Sequence, residues 1–182
     1  MGLGNPGKSY DKTRHNVGKM FLEHVFESEG AKKWLQASYG SYFETNEAIY
    51  IRTNCYMNVS AKCLKSFMKE HKMSLEDLKP RLLVVCDDLE QANGAVKLKD
   101  TGSAKGHNGV KSMLGLFDED PRQFARLLIG VGRPAERSSL AVGNWVLGEF
   151  TEPELKSLAS VSWKKASILL NQFVQADVNI VK

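Results

Sequence analysis

Residues Gly2 to Ser9 read GLGNPGKS and match the phosphate-binding pattern G-x-x-x-x-G-K-[ST] at every specified position. The same residues contain the dinucleotide fingerprint G-x-G-x-x-G at Gly2, Gly4 and Gly7. Farther along, the apolar run LLVVCD ends at Asp87, as the magnesium-binding strand of a P-loop NTPase would end in an aspartate. One hypothesis is therefore a nucleotide-binding enzyme.

The residues around this pattern do not meet the structural demands of a phosphate loop. Such a loop follows a buried strand and ends where a helix begins, but only Met1 precedes the pattern and the helical spacing of apolar residues starts at Val17. Pro6 also removes one backbone N–H from the loop. For the dinucleotide pattern, the acidic residues about 20 positions later, Glu27 and Glu29, fall in a predicted helix. A turn that binds no ligand ranks above both nucleotide hypotheses.

A second set of polar residues suits hydrolysis by an activated water molecule. His15 lies in TRHN and Asp87 ends a predicted buried strand, while amides and a second histidine lie at loop ends: Asn5, Asn16, Asn58, His107 and Asn108. An imidazole beside a buried carboxylate can act as a general base, and amide side chains can orient an ester and bind its oxyanion. The sequence has no G-x-S-x-G elbow, and none of its three cysteines lies among polar, activating neighbours, so direct attack by water is the simplest mechanism.

Each of these residues also has an ordinary structural role. A histidine before a helix often makes a hydrogen bond in a loop, and asparagine favours turns and helix caps. An aspartate at the end of a strand can simply be solvated. For each residue alone the structural role is the more frequent one, so only their joint occurrence favours a site.

The composition is that of one globular domain. The chain has 182 residues, 42% of them hydrophobic, and a net charge of +4, which permits a polyanionic partner without establishing one. No apolar run approaches the ~20 residues of a membrane span, and no signal peptide opens the chain. The three cysteines form no C-x-x-C pair and the four histidines show no ligand spacing, so we expect free thiols in a reducing compartment and no metal site.

Strands and helices alternate along the chain. Apolar spacing predicts a helix from Val17 to near Gly30, two paired strands at 38–43 and 48–53, and a helix capped by Asn58 or Ser60. A fully buried strand at 82–86 precedes a strand at 96–99 whose lysines alternate with apolar residues, and Asn108 is expected to cap the following helix. A further strand at 126–132 and a capping box at Thr151 and Glu154 complete the series. This order predicts an α/β domain with a mixed sheet.

Taken in order, six segments strongly resemble the peptidyl-tRNA hydrolase family of bacteria and eukaryotic organelles: GLGNPGKSYDKTRHNVG, YMNVSAK, CDDLE, AVKLKDTGSAKGHNGVKSM, FARLLIGVGRP and VLGEF. The resemblance runs from Gly2 to about Phe150, and the C-terminal helix is only generically similar. It implies one three-layer αβα domain over residues 1–182, with a twisted mixed sheet and a C-terminal helix at about 151–176.

The resemblance implies an activity and assigns residues to it. The family hydrolyses the ester between peptide and tRNA without a metal or cofactor. His15 would be the catalytic base, Asp87 its orienting carboxylate and Asn5 a further catalytic residue. Substrate-binding positions would be Tyr10, Met57, Asn58, His107 and Asn108.

The same resemblance implies a tRNA-binding surface and a cellular setting. The acceptor stem and 3′ end of tRNA would contact Lys97, Lys99, Lys105 and Arg126, whereas the lysines of the helix after Ser60 are expected to be a solvated face. The enzyme would be a soluble intracellular monomer, in the cytoplasm or, with an upstream targeting segment, in the mitochondrial matrix. The alternative is a catalytically silent RNA-binding relative of the organellar splicing type, and a P-loop NTPase is the third hypothesis.

Three departures from the family pattern concern stability and tRNA affinity. The family's first strand, which lies before G-x-x-N-P-G, is absent, so we expect the sheet to lack one central strand because N-terminal residues are missing. The segment DDLEQANG replaces the usual turn, and Leu128 stands where a basic residue is frequent.

Overall fold

The computed structural model describes residues 1–117 and 123–178, and a twisted sheet forms its centre. Its strands are β1 (Leu35–Ala37), β2 (Gly40–Glu44), β3 (Ile49–Thr53), β4 (Leu83–Asp88), β5 (Val96–Lys99) and β6 (Ala125–Gly130). Strands β1, β2 and β3 pair antiparallel in that order, and β6 lies between β4, to which it is parallel, and β5, to which it is antiparallel.

Residues Met1–Leu3 join these two groups of strands. The backbone N–H of Gly2 donates to the Ile51 carbonyl of β3 at 2.8 Å, and that of Leu3 donates to the Val85 carbonyl of β4 at 3.0 Å. Gly2 forms a parallel bridge to each of the two strands. The expectation that the sheet lacks a central strand is therefore corrected: the first three residues occupy that position.

Seven helices surround the sheet in the described residues: α1 (Val17–Ser28), α2 (Ala61–His71), α3 (Leu75–Leu78), α4 (Asn108–Leu114), α5 (Ser139–Leu147), α6 (Glu152–Ser157) and α7 (Trp163–Val178). Helices α6 and α7 are joined by one π-helical turn, Leu158–Ser162. The predicted capping box at the start of α6 is confirmed, since Thr151 and Glu154 bond each other's backbone N–H groups. No helix among these residues is long and apolar enough to cross a membrane.

The helices form layers on both faces of the sheet. On one face, α1 and α7 pack against alternate residues of β4 and β6, such as Val85 and Leu127. On the other face, α2 and α4 cover the intervening residues, such as Val84 and Leu128. Both faces of β4 are buried, as its continuous apolar run predicts. The three-layer α/β architecture predicted from the sequence is confirmed.

Close contact between α1 and β4 depends on Gly18. A Cβ atom at this position would lie 2.2 Å from the Val85 carbonyl oxygen, which belongs to the strand backbone and has no room to retreat. Because His15 lies one turn before Gly18 and Asp87 lies two residues after Val85, this contact also sets the spacing between those two side chains.

Replacing Gly18 with alanine is therefore expected to destabilise the fold by about 2–3 kcal/mol, the usual cost of forcing extra volume into a packed interior. Gly143→Ala is the matched control, because Gly143 also lies in a helix but a Cβ there meets nothing within 4 Å. Because alanine has a higher helix propensity than glycine, Gly143→Ala should leave the free energy of unfolding unchanged or raise it by up to about 1 kcal/mol. Urea unfolding measures the stability of both variants. Equal midpoints for Gly18→Ala and Gly143→Ala would show that the contact of Gly18 with β4 is not tight.

Candidate active site

Two histidines share one carboxylate at the carboxyl end of β4. His15 Nδ1 lies 2.7 Å from Asp87 Oδ1, and His107 Nε2 lies 3.0 Å from the same oxygen. The two rings are 4.8 Å apart between centroids. His15 belongs to the 3₁₀ turn Arg14–Asn16 that leads into α1, and His107 directly precedes α4. Three separate elements thus bring the cluster together.

The backbone of α4 determines the tautomer of His107. Its Nδ1 accepts the N–H groups of Gly109 and Val110 at 3.1 and 3.2 Å, so the ring proton must be on Nε2, where it is donated to Asp87. This makes His107 the N-cap of α4 and corrects the expectation that Asn108 caps the helix. Asn108 is exposed instead, in the first turn of the helix.

The same carboxylate determines the tautomer of His15. An ionised carboxylate only accepts hydrogen bonds, so His15 Nδ1 carries the proton that it donates to Asp87. The lone pair of His15 Nε2 is then available to accept a proton from a bound molecule. This is the arrangement that a general base of the histidine–aspartate type requires.

The charges in the cluster shift two pKa values in opposite directions. Burial lowers the pKa of His15, but the charge and hydrogen bond of Asp87 raise it more, so the pKa lies above the ordinary 6.5. Burial raises the pKa of the Asp87 carboxyl, but His15 and His107 together hold that pKa well below its usual range. Asp87 is therefore ionised at neutral pH, and His15 gains basicity from it.

Hydrogen bonds fix both the backbone of Asn5 and its side-chain oxygen. Asn16, which is fully buried beside His15 in the chain, accepts the Asn5 N–H at 2.8 Å and donates to the Asn5 carbonyl at 3.0 Å. Lys19 Nζ donates to that same carbonyl at 3.2 Å. The Asn5 side-chain oxygen accepts the N–H of Met57 at 2.8 Å, which leaves its Nδ2 group to act as a donor.

These bonds contradict the phosphate-loop hypothesis. The N–H groups of Gly2 and Leu3 are used in the sheet and that of Asn5 is used by Asn16, so they do not point into a shared cradle. A 3₁₀ turn, Lys8–Tyr10, follows the glycines, and the first α-helix begins only at Val17. The pattern therefore forms a turn that positions Asn5.

Met57, Asn58 and Tyr10 lie on the Asn5 side of the cluster. Met57 and Asn58 form a 3₁₀ turn, in which Met57 is buried and Asn58 is exposed. The Met57 sulfur packs against Gly109 so closely that a Cβ there would lie 2.4 Å from it. Tyr10 meets the exposed Tyr56 edge to face, with ring centroids 6.5 Å apart.

A cavity of about 480 Å³ opens beside the cluster on the β5 side. Its lining includes several predicted site residues: His15, Asp87, His107, Asn108, Lys99, Lys105 and Arg126. Arg137, which the sequence analysis did not single out, also lines it; the only sequence signal was a basic residue in the polar loop before α5. Asn5, Tyr10, Met57, Asn58 and Lys97 are not among the lining residues.

The basic residues around the cavity differ in exposure. In β5, Lys97 is exposed and Lys99 half-buried, while Val96 packs into the core, as the alternation in sequence predicts. Lys105 is exposed on the loop before His107. Arg126, paired with Lys99 across the strands, is only 4% exposed and donates to the carbonyls of Gly102 and Ser103. Arg126 thus fixes the loop that contains Gly102, Ser103 and Lys105. Its contact with tRNA stays a prediction.

The histidine–aspartate cluster is also the place where a metal ion would fit best. Among the described residues, His15, Asp87 and His107 are the one group of three such ligands, with their atoms within 4.8 Å of one another. In the present geometry, however, both imidazoles donate a proton to Asp87, and a metal would have to displace both hydrogen bonds.

The family resemblance implies a metal-free reaction with His15 as the base, so we expect ester hydrolysis to be unchanged, within about twofold, after exhaustive treatment with EDTA. The measurement is the initial rate before and after chelation, with Mg²⁺ added back in a parallel sample, since Mg²⁺ also affects the folding of tRNA. Loss of activity that Zn²⁺ or another transition metal restores would contradict this expectation.

Comparison with known proteins identifies close similarity over nearly the whole chain. The family model described as Peptidyl-tRNA hydrolase matches residues 1–181. The peptidyl-tRNA hydrolase of Bacillus pumilus is 37% identical over 169 residues, which cover 88% of this chain and 83% of that protein. The one from Bacillus subtilis is 35% identical over 183 residues, which cover 94% and 90% of the two chains.

Solved structures show the same similarity. The crystal structure of peptidyl-tRNA hydrolase from Acinetobacter baumannii superposes with a TM-score of 0.76 at 27% sequence identity. The superposition covers 98% of this chain and 88% of that chain. The similarity in sequence and in fold therefore includes every element that positions the histidine–aspartate cluster.

Proposed function

Because this chain belongs to the peptidyl-tRNA hydrolase family and is a hydrolase of the ester bond in peptidyl-tRNA, we propose that His15 is the base that activates the attacking water. The observation that carries the proposal is the pair of hydrogen bonds from His15 and His107 to one buried oxygen of Asp87. They leave His15 Nε2 as the free basic atom of the cluster.

The reaction follows from that geometry. His15 Nε2 takes a proton from water as the water oxygen attacks the ester carbonyl, and Asp87 stabilises the imidazolium that forms. The tetrahedral intermediate then collapses, the bond to the ribose oxygen breaks, and His15 returns its proton to that oxygen. The products are tRNA with its terminal hydroxyl restored and the peptide carboxylic acid, which releases its proton to solvent and becomes the carboxylate.

The amides are proposed to orient the ester and bind the developing oxyanion. Asn5 has its side-chain oxygen occupied by Met57, so its Nδ2 is a fixed donor of known direction. Asn108 lines the cavity from the first turn of α4 and is assigned to the peptidyl end of the substrate. Asn58, Met57 and Tyr10 are assigned to the cleft wall on the Asn5 side.

His107 was predicted from the family resemblance to bind substrate, and its hydrogen bonds favour a different proposal. Both ring nitrogens are used, Nδ1 by the helix backbone and Nε2 by Asp87. We therefore propose that His107 is a positioning residue that acts through Asp87. It fixes the carboxylate in place and helps to keep it ionised.

The basic side chains around the cavity are proposed to bind the acceptor stem and 3′ end of tRNA. Lys97, Lys99 and Lys105 lie on the strand and loop next to the cluster, and Arg137 lines the same cavity as Lys99 and Lys105. Contacts of lysine with phosphate are independent of sequence and depend on salt, as an enzyme that accepts many tRNAs requires. Arg126 contributes by holding the loop that carries Lys105.

The double variant Lys97→Ala, Lys99→Ala is expected to weaken binding of uncharged tRNA and to reduce the slope of log K against log salt by about 1 to 2. The matched control is Lys65→Ala, Lys69→Ala, which removes the same charge from exposed positions of α2, outside the cavity. Filter binding across a salt series measures both. Equal slopes for the two double variants would show that β5 does not face the nucleic acid.

The remaining assignments are proposals at the level of the whole chain. We propose that residues 1–182 form one domain, of which residues 118–122 and 179–182 lie outside the described part, and that it acts as an intracellular monomer in the cytoplasm or the mitochondrial matrix. The alternative of a silent RNA-binding relative has no support, because the comparisons find hydrolases and the cluster has the geometry of a base. Tight binding of uncharged tRNA without any cleavage of peptidyl-tRNA would favour that alternative.

A further inference from the structure

Two cysteines lie in contact beside the cleft wall, outside the histidine–aspartate cluster. Cys55 is in the loop between β3 and the 3₁₀ turn that carries Met57 and Asn58, and Cys63 is in the first turn of α2. Both are free thiols, and their Sγ atoms are 2.7 Å apart. The fold thus brings together two sulfur atoms that are eight residues apart in the chain.

The surroundings of this pair favour one thiolate. A hydrogen bond from Cys55, together with the charge of Lys19, lowers the pKa of Cys63, although its burial acts in the opposite direction. In its thiol form Cys63 donates to the Asn54 side-chain oxygen at 3.4 Å. Cys55 is only half-buried, so small molecules can reach the pair from its side. No activating neighbour of Cys63 is evident in the sequence, because Cys55 and Lys19 approach it only in the fold.

We propose that Cys55 and Cys63 form a reversible intramolecular disulfide when the protein meets a hydroperoxide. The Cys63 thiolate attacks one peroxide oxygen, the O–O bond breaks, and water (or an alcohol) leaves after taking up a proton, so that Cys63 becomes a sulfenic acid. Cys55 sulfur then attacks Cys63 sulfur and displaces the hydroxyl group as a second water, which takes the Cys55 proton. The two sulfurs are oxidised by two electrons in all, and the peroxide is reduced.

The bridge would have two consequences. It would fasten the loop that carries Met57 and Asn58 to α2, since both residues lie between the two cysteines in the chain. It would also protect the thiols, because a sulfenic acid that meets a neighbouring thiol at once does not progress to the irreversible sulfinic and sulfonic acids. Cys86 takes no part, because burial in β4 raises its pKa well above its ordinary value.

Tryptic peptide mapping after peroxide treatment tests the proposal directly. Trypsin cleaves after Arg52, Lys62 and Lys65, so Cys55 and Cys63 fall in separate peptides, residues 53–62 and 63–65. Peroxide-treated protein should yield these two peptides joined, with an intact mass lower by two hydrogens, and a thiol reductant should separate them. Closing this loop should also raise Tm by about 5 °C.

Single cysteine variants supply the controls. Cys86→Ser should form the bridge as the unaltered protein does, which shows that loss of a cysteine alone does not prevent it. Cys63→Ser should leave Cys55 without its partner, so that no joined peptides form and any oxidation of Cys55 proceeds to acids that a thiol does not reverse. Recovery of separate peptides from oxidised unaltered protein, with sulfinic or sulfonic acid on either cysteine, would overturn the proposal. Joined peptides found only in covalent dimers would also overturn it.

Discussion

Replacing His15 with alanine is expected to lower kcat for peptidyl-tRNA hydrolysis by at least ~10², while KM and the binding of uncharged tRNA stay within about twofold. His15 is the base in the proposed reaction, and its Nε2 atom is the imidazole nitrogen that the hydrogen bonds of the cluster leave free. The lysines proposed to bind tRNA lie on β5 and the loop after it, so the affinity for tRNA should not depend on the imidazole.

His24→Ala is a matched control for the loss of one imidazole. His24 lies in α1, the helix that follows the turn containing His15. Its ring packs on that of Trp163 in α7, with centroids 6.2 Å apart. Its kcat should remain near that of the unaltered protein. Near-normal kcat in His15→Ala, or an equal loss in both variants, would exclude His15 as the base. If His15→Ala lost tRNA affinity by the same factor as kcat, His15 would have a role in binding tRNA and not in catalysis.

Replacing Asp87 with asparagine should have an effect of similar size, a loss in kcat of about 10² to 10³, with the fold retained. The amide has nearly the shape of the carboxylate but carries no charge, so it cannot stabilise the imidazolium that forms on His15. Its NH2 group can also donate a hydrogen bond to His15 Nδ1, which would favour the tautomer with the ring proton on Nε2 and remove the basic lone pair from the site.

The pH dependence distinguishes this explanation from simple damage to the site. Asp87 raises the pKa of His15, and the base works only in its neutral form, so activity should rise with pH through that raised pKa. Without the carboxylate charge the pKa of His15 falls, and the residual activity of Asp87→Asn should reach its plateau at a lower pH. An unshifted profile with a lower plateau would mean that Asp87 does not act through His15.

The residues most readily predicted from sequence were those whose positions follow from local periodicity. The continuous apolar run of β4 placed Asp87 at the carboxyl end of a buried strand, and the helical spacing from Val17 placed His15 just before α1. The alternation in β5 predicted its basic face. In each of these the pattern of a single element determines which way a side chain points.

Sequence did less well where two elements compete for the same side chain. By residue type Asn108 is the better cap, but His107 takes that position because Asp87, 20 residues earlier, accepts a hydrogen bond from its Nε2 and so leaves Nδ1 to accept from the helix backbone. Arg126 is charged but buried, because its guanidinium donates hydrogen bonds to the carbonyls of Gly102 and Ser103. The contact of Cys55 with Cys63 likewise exists only after β3 and α2 have packed.

The structure shows how the chain accommodates its three departures from the family pattern. Met1–Leu3 hold the central position of the sheet by hydrogen bonds to both neighbouring strands, which no local pattern in three residues could indicate. In the altered DDLEQANG segment, Asp88 closes the turn by accepting the Glu90 N–H at 2.9 Å and the Gln91 side-chain amide at 3.0 Å. Leu128 packs in the core on the face covered by α2 and α4, and it also lines the cavity.

The pH dependence of the single-turnover rate of ester cleavage is the most direct test of His15 as a base made stronger by Asp87. With enzyme in excess over peptidyl-tRNA, the rate should rise with pH along one limb whose pKa lies above 6.5, and the His15 imidazole should titrate at that same pKa by NMR. A rate that does not change with pH through neutrality would contradict the account. So would a limb that lies below 6.5 or that persists unchanged in His15→Ala.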